Sequence, residues 1–404
     1  MRILFICHRF PFPPNRGGKI RPFQMIRHLS KKHSVVVASL AHTEEELEQG
    51  VGLEQHCQAT IAEVVPSSSR WLRASGKLAS RGPSSAAYFW SPRLDRRIRE
   101  AWSTQKFDAV MVHCAFVAQY AMQLPGAFRI LDFGDMDSAK WFDYAQFHGF
   151  PLSLGYKIEA LKLRRFEREA ARSFDRCTVT TNGEWEEYQT MEVPTPCSVL
   201  PNGVDAEYFH PHSSSPHSSE APVIVFLGRM DYFPNIDGIS EFARNIFPHI
   251  RTSIPNAELR IVGSNPSANV RSLEQLPGVA VTGHVPDVRP YLAEATVAIA
   301  PLRIARGTQN KVLECMAAGV PVVSSPQAAR GIEAIPGEHL LVAEDALSFA
   351  SQVVEVIRNT ELRSRLAALG RRQVLSTHSW AASMKLLDEL LETVSSKGKA
   401  YVTS

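Results

Sequence analysis

Residues 306–319 combine a cation, a hydroxyl and a carboxylate at spacings that suit a phosphorylated ligand. A helix is predicted from about Gln309 to Ala318, directly after a Gly-Thr loop that follows an apolar strand. The first N–H groups of a helix lack intrahelical partners and favour an anion, and Lys311 in the first turn adds positive charge. Glu314 lies one turn further on, where its carboxylate can accept hydrogen bonds from ribose hydroxyls. The spacing therefore predicts a site for a nucleotide diphosphate.

The same residues also have an ordinary structural interpretation. A glutamate inside a helix is usually a solvated surface group, and residues 311 and 314 have the spacing of a simple i, i+3 ion pair. The order of the parts favours the binding site instead: a strand, a glycine-containing loop, a helix, and a Gly-x-Pro exit into another strand. Ligands of parallel α/β sheets bind beyond the carboxyl ends of strands, which is where this helix begins.

Residues 313–323 read Leu-Glu-Cys-Met-Ala-Ala-Gly-Val-Pro-Val-Val. This segment resembles the donor-site signature of the group 1 (family 4) glycosyltransferases, which usually ends in Leu-Glu-Ala-Met-Ala-x-Gly-x-Pro-Val-Val. The family pattern has two glutamates, and Glu314 matches the second, to which the resemblance assigns the nucleotide ribose. The first falls on Arg306, so this chain departs from the pattern there. A positive residue at that position can face the diphosphate instead.

Two further segments of the second half resemble the same family. Residues 201–205 read Pro-Asn-Gly-Val-Asp, which the family commonly has at its domain junction, although Asn-Gly is also a turn signal in its own right. Gly228 and Arg229 follow an apolar strand, where the glycine permits a tight turn near phosphate and the arginine is a bidentate phosphate donor. Many relatives have a lysine five residues after this arginine, where the present chain has Pro234. Arg306 or Lys311 is expected to supply that charge.

In the first half, Gly17 and Gly18 lie in an Asn-Arg-Gly-Gly-Lys loop after the first strand, and His113 ends a later strand. The loop resembles the Gly-rich loop of the family, in which paired glycines let the backbone approach donor phosphate or acceptor. It is not the dinucleotide pattern GxGxxG, and Arg16 and Lys19 can simply be solvated charges on a turn. A histidine at a comparable strand end in relatives contacts the donor sugar. The alternative for His113 is a satisfied polar residue at a strand terminus.

We predict His113, Arg229 and Lys311 as catalytic residues, the two cations because they can stabilise negative charge on the departing diphosphate. The predicted donor-binding residues are Gly17, Gly18, Gly228, Arg229, Gly307, Thr308, Lys311 and Glu314.

Asp135 and Asp137 form a D-x-D, which in a different glycosyltransferase fold (GT-A) holds a metal bound to the donor diphosphate. Three-residue patterns are common by chance, and the resemblance implies neither a metal nor another cofactor. We therefore expect both carboxylates on the acceptor side, where they accept hydrogen bonds from hydroxyls or cap the following helix.

Residues 70–99 hold eight basic side chains against one acidic one, with aromatic residues interleaved. A basic, aromatic surface suits an anionic membrane or a lipid-linked acceptor. A second basic stretch, residues 157–168, also carries apolar side chains. The alternative for both is a pair of ordinary solvated helices packed on a core.

The composition limits the classes of function. A chain of 404 residues is long enough for two domains, and its formal charge of +3 is too small to imply a nucleic-acid partner. No stretch approaches the roughly 20 apolar residues of a membrane span, and the N-terminus is predicted to be a strand rather than a signal peptide. The six cysteines show no CxxC spacing and are expected as buried thiols. We expect a cytoplasmic protein, with peripheral contact to the inner face of the cytoplasmic membrane as an option.

Strands and helices alternate along nearly the whole chain, which predicts an α/β fold with parallel sheets. The predicted strands are Arg2–Cys7, Ser34–Leu40, Ala59–Val65, Ala109–His113, Arg129–Phe133, Arg176–Thr180, Ser198–Leu200, Val223–Leu227, Glu258–Val262, Val279–Thr282, Val297–Ala300, Val320–Ser324 and Leu340–Val342. The resemblance implies the GT-B arrangement of two Rossmann-like domains facing a central cleft. We place an acceptor-side domain at 1–205, a Ser/Pro/His-rich linker at 206–222 and a donor domain at 223–380, with a helix at 381–404 packing back onto the first domain.

The expected function is transfer of a sugar from a nucleotide diphosphate sugar to a hydroxyl acceptor, which is a glycan or a lipid-linked glycan. Retention of anomeric configuration and a place in bacterial exopolysaccharide assembly are implied by the resemblance alone. Two alternatives stay open, a sugar-nucleotide epimerase of the same fold and a non-catalytic nucleotide-sugar binder. A nicotinamide-dependent oxidoreductase needs a dinucleotide loop that this sequence lacks.

Overall fold

The computed structural model describes residues 1–15, 17–211 and 221–401. Arg16, most of the predicted linker and residues 402–404 of the predicted last helix lie outside these ranges. The chain divides into two compact units. The first comprises residues 1–200 and the chain from Met384 onward, and the second runs from Pro201 to Ser383.

The second unit begins before the predicted boundary at residue 205. Val204 is buried in the core of the second unit and pairs with Ser379 in an isolated β-bridge. A Cβ atom on Gly203 would lie 2.5 Å from the backbone nitrogen of Trp380, so only glycine permits this approach. These contacts attach residues 201–205 to the second unit rather than to the first.

The first unit is built on a parallel sheet. Its described strands are β1 (Arg2–Cys7), β2 (Ser34–Ala41), β3 (Ala59–Val64), β4 (Ala109–His113), β5 (Phe128–Gly134), β6 (Arg176–Val179) and β7 (Cys197–Val199). They lie in the order β3-β2-β1-β4-β5-β6-β7. Both faces are covered, which is why β1, β2 and β4 are nearly continuous apolar runs.

The described helices of this unit connect the strands on both faces of the sheet. They are α1 (Gly17–Leu29), α2 (Glu44–Glu48), α3 (Ser67–Ser75), α4 (Ser84–Tyr88), α5 (Pro92–Thr104), α6 (Asp137–Gln146), α7 (Leu152–Arg172) and α8 (Asn182–Gln189). Residues 49–56 and 115–120 form 3₁₀ helices.

The strand order places a topological switch point between β1 and β4. After β1 the chain forms β2 and β3 on one side and then β4 to β7 on the other. His8 follows β1 and His113 ends β4, and their ring centroids are 5.7 Å apart. Open α/β sheets bind ligands in the crevice at the carboxyl ends of such strands. The topology therefore puts both histidines at the position where this unit is most suited to contact a ligand.

The second unit repeats this plan. Its described strands are β8 (Val223–Leu227), β9 (Glu258–Val262), β10 (Val279–Gly283), β11 (Val297–Ala300), β12 (Val322–Ser324) and β13 (Leu341–Val342), in the order β10-β9-β8-β11-β12-β13. The described helices are α9 (Phe233–Glu241), α10 (Phe247–Ser253), α11 (Ala268–Arg271), α12 (Arg289–Glu294), α13 (Asn310–Ala317), α14 (Pro326–Ala329), α15 (Ala346–Arg358) and α16 (Thr360–Thr377). A π-helical segment at residues 242–246 joins α9 to α10.

The switch point of the second sheet lies between β8 and β11. Gly228 follows β8, and the chain that leaves β11 leads through a loop into α13. The predicted donor-binding residues of this half are thus concentrated at the carboxyl ends of two adjacent strands.

The last helix, α17 (Trp380–Tyr401), begins in the second unit and continues into the first. Within the first unit its Asp388 carboxylate lies 2.8 Å from Nε2 of His28 and 2.8 Å from Nζ of Lys32. These two contacts, on the C-terminal part of α1 and the residues after it, attach the end of the chain to that unit.

The predicted α/β fold class with two parallel-sheet units is confirmed. The strands that agree at both ends are Arg2–Cys7, Ala109–His113, Val223–Leu227, Glu258–Val262 and Val297–Ala300. The other predicted strands differ by one or two residues at one end or at both ends.

We expect Gly263→Ala to destabilise the second unit and to disturb the loop after β8. A Cβ atom on Gly263 would lie 1.6 Å from the carbonyl oxygen of Gly228, which is backbone and cannot rotate away. The matched control is Gly283→Ala, whose residue has φ of +71° and open space around its Cβ position. Gly283→Ala should lower the free energy of unfolding by about 1–2 kcal/mol, because alanine is strained in the left-handed backbone conformation. Urea denaturation should show a loss of about 3 kcal/mol or more for Gly263→Ala, and equal losses in the two variants would contradict the close approach.

Candidate donor-binding site and a buried histidine cluster

The turn after β8 is built so that a lysine can reach its backbone. A Cβ atom on Gly228 would lie 2.7 Å from the side-chain nitrogen of Asn235 and 3.2 Å from Nζ of Lys311. No side chain fits in that space, so glycine is required for close approach. The structure thus brings two of the predicted donor-binding residues, Gly228 and Lys311, next to each other.

Asn235 fixes this arrangement. Its side-chain Nδ2 donates to the carbonyl oxygen of Arg229 at 2.8 Å, and its Oδ1 accepts from Nζ of Lys311 at 2.5 Å. The ammonium also lies 4.5 Å from the ring centroid of Phe226, on the strand β8 itself. Among the described residues no carboxylate forms an ion pair with Lys311, so that place is open to a ligand anion.

The pKa values of Lys311 and Glu314 converge in the absence of a ligand. Burial lowers the pKa of Lys311 to about 7, against the opposing attraction of Glu314. Burial also raises the pKa of Glu314 to about 7, against the attraction of Lys311. Both residues are partly buried. A diphosphate and a ribose would supply these two groups with new partners.

The loop before α13 presents a hydroxyl without an internal partner. Thr308 Oγ1 is buried and has no hydrogen-bond partner among the described residues. Gly307 adopts a φ of +62°, and its carbonyl would lie 2.0 Å from a Cβ atom on Gly331. No side chain caps the N-terminus of α13 at Gln309. The N-terminus of α13 is thus suited to bind an anion, and the Thr308 hydroxyl lies in the loop just before it.

Arg229, which the sequence predicts to donate to a phosphate, is paired with a carboxylate in the structure. Its guanidinium forms a bidentate pair with Asp231, with Nε 3.0 Å from Oδ1 and Nη2 2.5 Å from Oδ2. Asn265 also donates to Oδ2 of Asp231, at 3.3 Å. A phosphate at Arg229 would have to share or displace this carboxylate. Arg306, which stands where the family has a glutamate, has its carbonyl oxygen bound by Nε2 of Gln309 at 3.0 Å.

His113 in the first unit belongs to a buried cluster. Its Nδ1 lies 2.7 Å from Oδ2 of Asp132, whose carboxylate also receives Nε and Nη2 of Arg21 at 2.9 and 2.7 Å. Thr178 Oγ1 donates to Oδ1 of the same carboxylate at 2.7 Å. Arg21 holds the pKa of Asp132 well below its usual range despite complete burial. The prediction for His113 as a strand-end residue is right in position, but it did not include the partners that orient the ring.

The Gly-rich loop of the first unit leads directly into α1. Gly17 is the first residue of that helix, and a Cβ atom on Gly18 would lie 3.6 Å from Nε2 of His8, an ordinary contact. The interpretation of Lys19 as a solvated charge is wrong. It is buried, pairs with Glu46 at 2.6 Å and donates to the carbonyl of Phe12 at 3.3 Å.

Asp135 and Asp137 lie at the carboxyl end of β5 and the start of α6. Asp135 accepts from Thr180 Oγ1 at 3.0 Å. Asp137 is the first residue of α6, and burial raises its pKa to about 6. The option that these aspartates cap the helix is wrong, because Glu167 and Glu184 receive the N–H groups of residues 138 and 136 at 3.1 and 2.5 Å.

The arginines of residues 70–99 are largely engaged within the protein. Arg70 is fully buried and donates to the carbonyl oxygens of Val65 and Ala41. Arg73 donates to the Trp90 carbonyl, and Glu63 lies near both Arg93 and Arg97. The exposed side chains of this segment include Trp71, Leu72 and Leu78, at 67%, 75% and 69% exposure, together with the basic residues Lys77, Arg81, Arg93, Arg96 and Arg99.

The outer face of α7 continues this apolar surface. Lys162 donates to the carbonyl oxygens of Lys77 and Leu78, which joins α7 to the residues after α3. The exposed apolar side chains of this region are Phe150, Leu152, Leu154, Ile158 and Leu161. Lys157, Arg165 and Arg168 are exposed on the same helix. We call the exposed apolar residues of 71–78 and 150–161, with these three cations, the apolar-basic surface.

Several of these groups were missed from the sequence. Asn235 carries no motif of its own, although it lies one residue beyond the proline that replaces the family lysine. Asp132 and Thr178 are neighbours of His113 in strand register, but a single sequence does not reveal which strands pair. Arg21 lies within the first helix and was indistinguishable from a surface arginine.

Two parallel-sheet α/β units, the second with a cationic, glycine-lined turn at its switch point, define a protein of the GT-B class. The comparisons with known proteins agree. Residues 16–208 match the family model described as Glycosyltransferase Family 4, and residues 221–359 match the model described as Glycosyl transferases group 1. The chain belongs to the group 1 (family 4) glycosyltransferases.

Individual relatives support this assignment. A phosphatidyl-myo-inositol mannosyltransferase of Mycobacterium leprae is 31% identical over 218 residues, which are 51% of this chain and 56% of that protein. The match thus spans just over half the length of this curated relative. The sucrose-phosphate synthase of Thermosynechococcus elongatus has a similar structure, with a TM-score of 0.73 and 15% identity over 98% of this chain and 100% of that chain. Anabaena HepE in complex with UDP-glucose gives a TM-score of 0.68 at 14% identity, over 97% and 100% of the chains.

We expect Glu314→Gln to stabilise the ligand-free protein more at pH 8 than at pH 5. The folded-state pKa of about 7 lies above the ordinary value of 4.5, so the folded protein binds the proton more tightly than the unfolded chain does. Ionising Glu314 therefore lowers stability as pH rises from about 4.5 to 7, and an amide removes that penalty. Thermal denaturation at both pH values checks this, and an equal or smaller gain at pH 8 would contradict the raised pKa.

Proposed function

We propose that this glycosyltransferase uses a nucleotide diphosphate sugar as donor and that its second unit holds the donor. The observation that carries the proposal is the convergence of Lys311, Asn235 and the Gly228 turn at the switch point of the second sheet. Lys311 and the N-terminus of α13 supply positive charge, and the Thr308 hydroxyl supplies a further hydrogen bond. Glu314 accepts hydrogen bonds from the ribose hydroxyls.

The chemical task is to break the bond between the sugar and the diphosphate. Negative charge develops on the departing diphosphate as the bond lengthens, so cations placed there lower the barrier. We assign this role to Lys311 and, with Asp231 displaced or shared, to Arg229. The acceptor hydroxyl oxygen bonds to the sugar carbon as the bond to the diphosphate breaks, and its proton passes to the departing nucleoside diphosphate or to solvent. In this scheme side chains and backbone N–H groups stabilise the negative charge of the leaving group. It invokes no metal or other cofactor.

We assign His113 and the Gly17-Gly18 turn to the sugar, and Asp135 and Asp137 to acceptor hydroxyls. These assignments are supported by the position of the residues at the carboxyl edge of the first sheet. Retention of anomeric configuration and a role in bacterial exopolysaccharide assembly rest on the resemblance of the motifs. The Anabaena relative in complex with UDP and UDP-glucose supports a nucleotide-sugar donor of that general kind.

We further propose a lipid-linked glycan as acceptor and peripheral contact with the inner face of the cytoplasmic membrane. Among the described residues, no helix has both the length and the apolar character needed to cross a bilayer. The apolar-basic surface offers exposed apolar side chains beside lysine and arginine, a combination suited to the interface of an anionic bilayer. The unpaired cysteines of the described chain support a reducing compartment.

Lys311→Met should abolish most of the transfer activity while leaving the fold intact. Loss of one group that stabilises a developing anion typically costs about 100–1,000-fold in kcat. The measurement is nucleoside diphosphate release from a panel of UDP-, GDP- and ADP-sugars, first screened by thermal shift. Lys385→Met, at an exposed position on α17, is the control and should retain full activity.

Three results would contradict the proposal in different ways. Activity of Lys311→Met within a few-fold of the wild type would exclude the assigned role of the lysine. Conversion of a nucleotide sugar to its epimer without acceptor would favour the epimerase alternative. Tight binding of a nucleotide sugar with neither hydrolysis nor transfer would favour a non-catalytic binder.

Membrane contact is tested with vesicles of phosphatidylcholine alone and with added phosphatidylglycerol. We expect sedimentation with the anionic vesicles and a large loss of binding in Leu154→Glu/Leu161→Glu, because buried apolar area and cation attraction both decrease. Leu347→Glu, an exposed leucine of the second unit, is the control and should bind like the wild type. Equal binding by both variants would exclude the apolar-basic surface as the contact.

A further inference from the structure

The carboxylate of Asp132 is the centre of a buried hydrogen-bond network in the first unit. His113, Asp132 and Thr178 occupy adjacent register positions on β4, β5 and β6, so their side chains lie side by side across the sheet. Arg21 reaches the same carboxylate from α1. Asp132 is fully buried, and Arg21 is 3% exposed.

The protonation state of Asp132 determines which ring nitrogen of His113 carries hydrogen. The ion pair with Arg21 keeps the carboxyl ionised, and an ionised carboxylate can only accept hydrogen bonds. Nδ1 of His113, which lies 2.7 Å from Oδ2, must therefore be the donor. The neutral ring then has its lone pair on Nε2.

The surroundings leave Nε2 to a ligand. No described residue forms a hydrogen bond with this atom. Gly134, with a φ of +70°, lies beside the ring, and a Cβ atom there would come within 3.7 Å of Cε1. The ring stands at the switch point of the sheet, 5.7 Å from the ring of His8. A hydroxyl that approaches this edge would find an acceptor in a fixed orientation.

We propose that Asp132, Arg21 and Thr178 form a positioning network that fixes the Nδ1–H tautomer of His113, so that Nε2 accepts a hydrogen bond from a hydroxyl of the sugar. This inference rests on the proposed function for the identity of the ligand. Asp132 does not touch the substrate, and it acts through the histidine. Arg21 and Thr178 hold the carboxylate ionised and correctly rotated.

A purely structural ion pair is the competing explanation, and the two differ in what Asp132→Asn changes. An amide can present its NH₂ to Nδ1, which would move the ring hydrogen to Nε2 and convert the acceptor into a donor. Because Asn leaves Arg21 without its counter-ion, the variant can be unstable. The double variant Arg21→Met/Asp132→Asn removes both charges with little change in volume. It therefore tests the effect of Asp132 on the ring of His113 without leaving an unpaired buried charge.

The first measurement is the ¹⁵N NMR pattern of the histidine rings in the ligand-free protein, with His113 identified by the His113→Gln variant and spectra recorded up to pH 9. We expect His113 in the Nδ1–H tautomer in the wild type and a shift toward Nε2–H or a mixture in both Asp132 variants. An Nε2–H tautomer in the wild type, or no change in either variant, would overturn the inference.

The second measurement compares binding of UDP with UDP-glucose and of GDP with GDP-mannose. In one of these pairs the sugar should raise the affinity of the wild type above that for the nucleoside diphosphate alone. We expect this increase to be about tenfold smaller in both Asp132 variants and in His113→Gln. Binding of the nucleoside diphosphate should be unchanged. A full sugar gain in the folded variants would overturn the positioning role. If no sugar adds affinity in the wild type, the proposed donor fails, and the NMR result still decides the tautomer.

Discussion

A single lysine, held beside a turn that has no room for a side chain, is the constraint on which the donor site depends. Lys311 is the only lysine between residues 201 and 383, and its Nζ would lie 3.2 Å from a Cβ atom on Gly228, a tight contact. Asn235, which accepts a hydrogen bond from this lysine, also donates one to the carbonyl oxygen of Arg229. The position of the ammonium is therefore coupled to the shape of the turn after β8. A change in either would move the charge away from the N-terminus of α13.

The two units use buried charge in opposite ways. In the first, Asp132 is surrounded by Arg21, His113 and Thr178, so its ionisation is secured before any ligand arrives. In the second, burial brings the pKa values of Lys311 and Glu314 to about 7, and no carboxylate of the described residues forms an ion pair with the lysine. The first arrangement suits orientation of a ring, since a satisfied network is rigid. The second suits binding of an anion, because the ligand completes the electrostatics.

The fold was largely predictable because both sheets are buried on two faces. Strands such as β4 and β8 are short, nearly continuous apolar runs, and Pro222 and Gly228 mark the two ends of β8. The lysine and glutamate of α13 were predictable from helix geometry and the family motif. The orientation of Arg229 was not, because its partner Asp231 is exposed and carries no pattern. Nor was the Asp132 cluster, since it depends on strand register and on an arginine of α1 that is distant in sequence.

The most direct test of the donor site is the number of protons taken up when a nucleoside diphosphate binds. Calorimetric titrations at pH 8 in two buffers of different ionisation enthalpy give this number, and the phosphates of the ligand are already fully ionised there. With a ligand-free pKa of about 7 for Lys311, bound diphosphate should restore the ammonium and draw in close to one proton. Lys311→Met should show no such uptake. Binding without proton uptake in the wild type, or equal uptake in the variant, would contradict the placement of the diphosphate at this lysine.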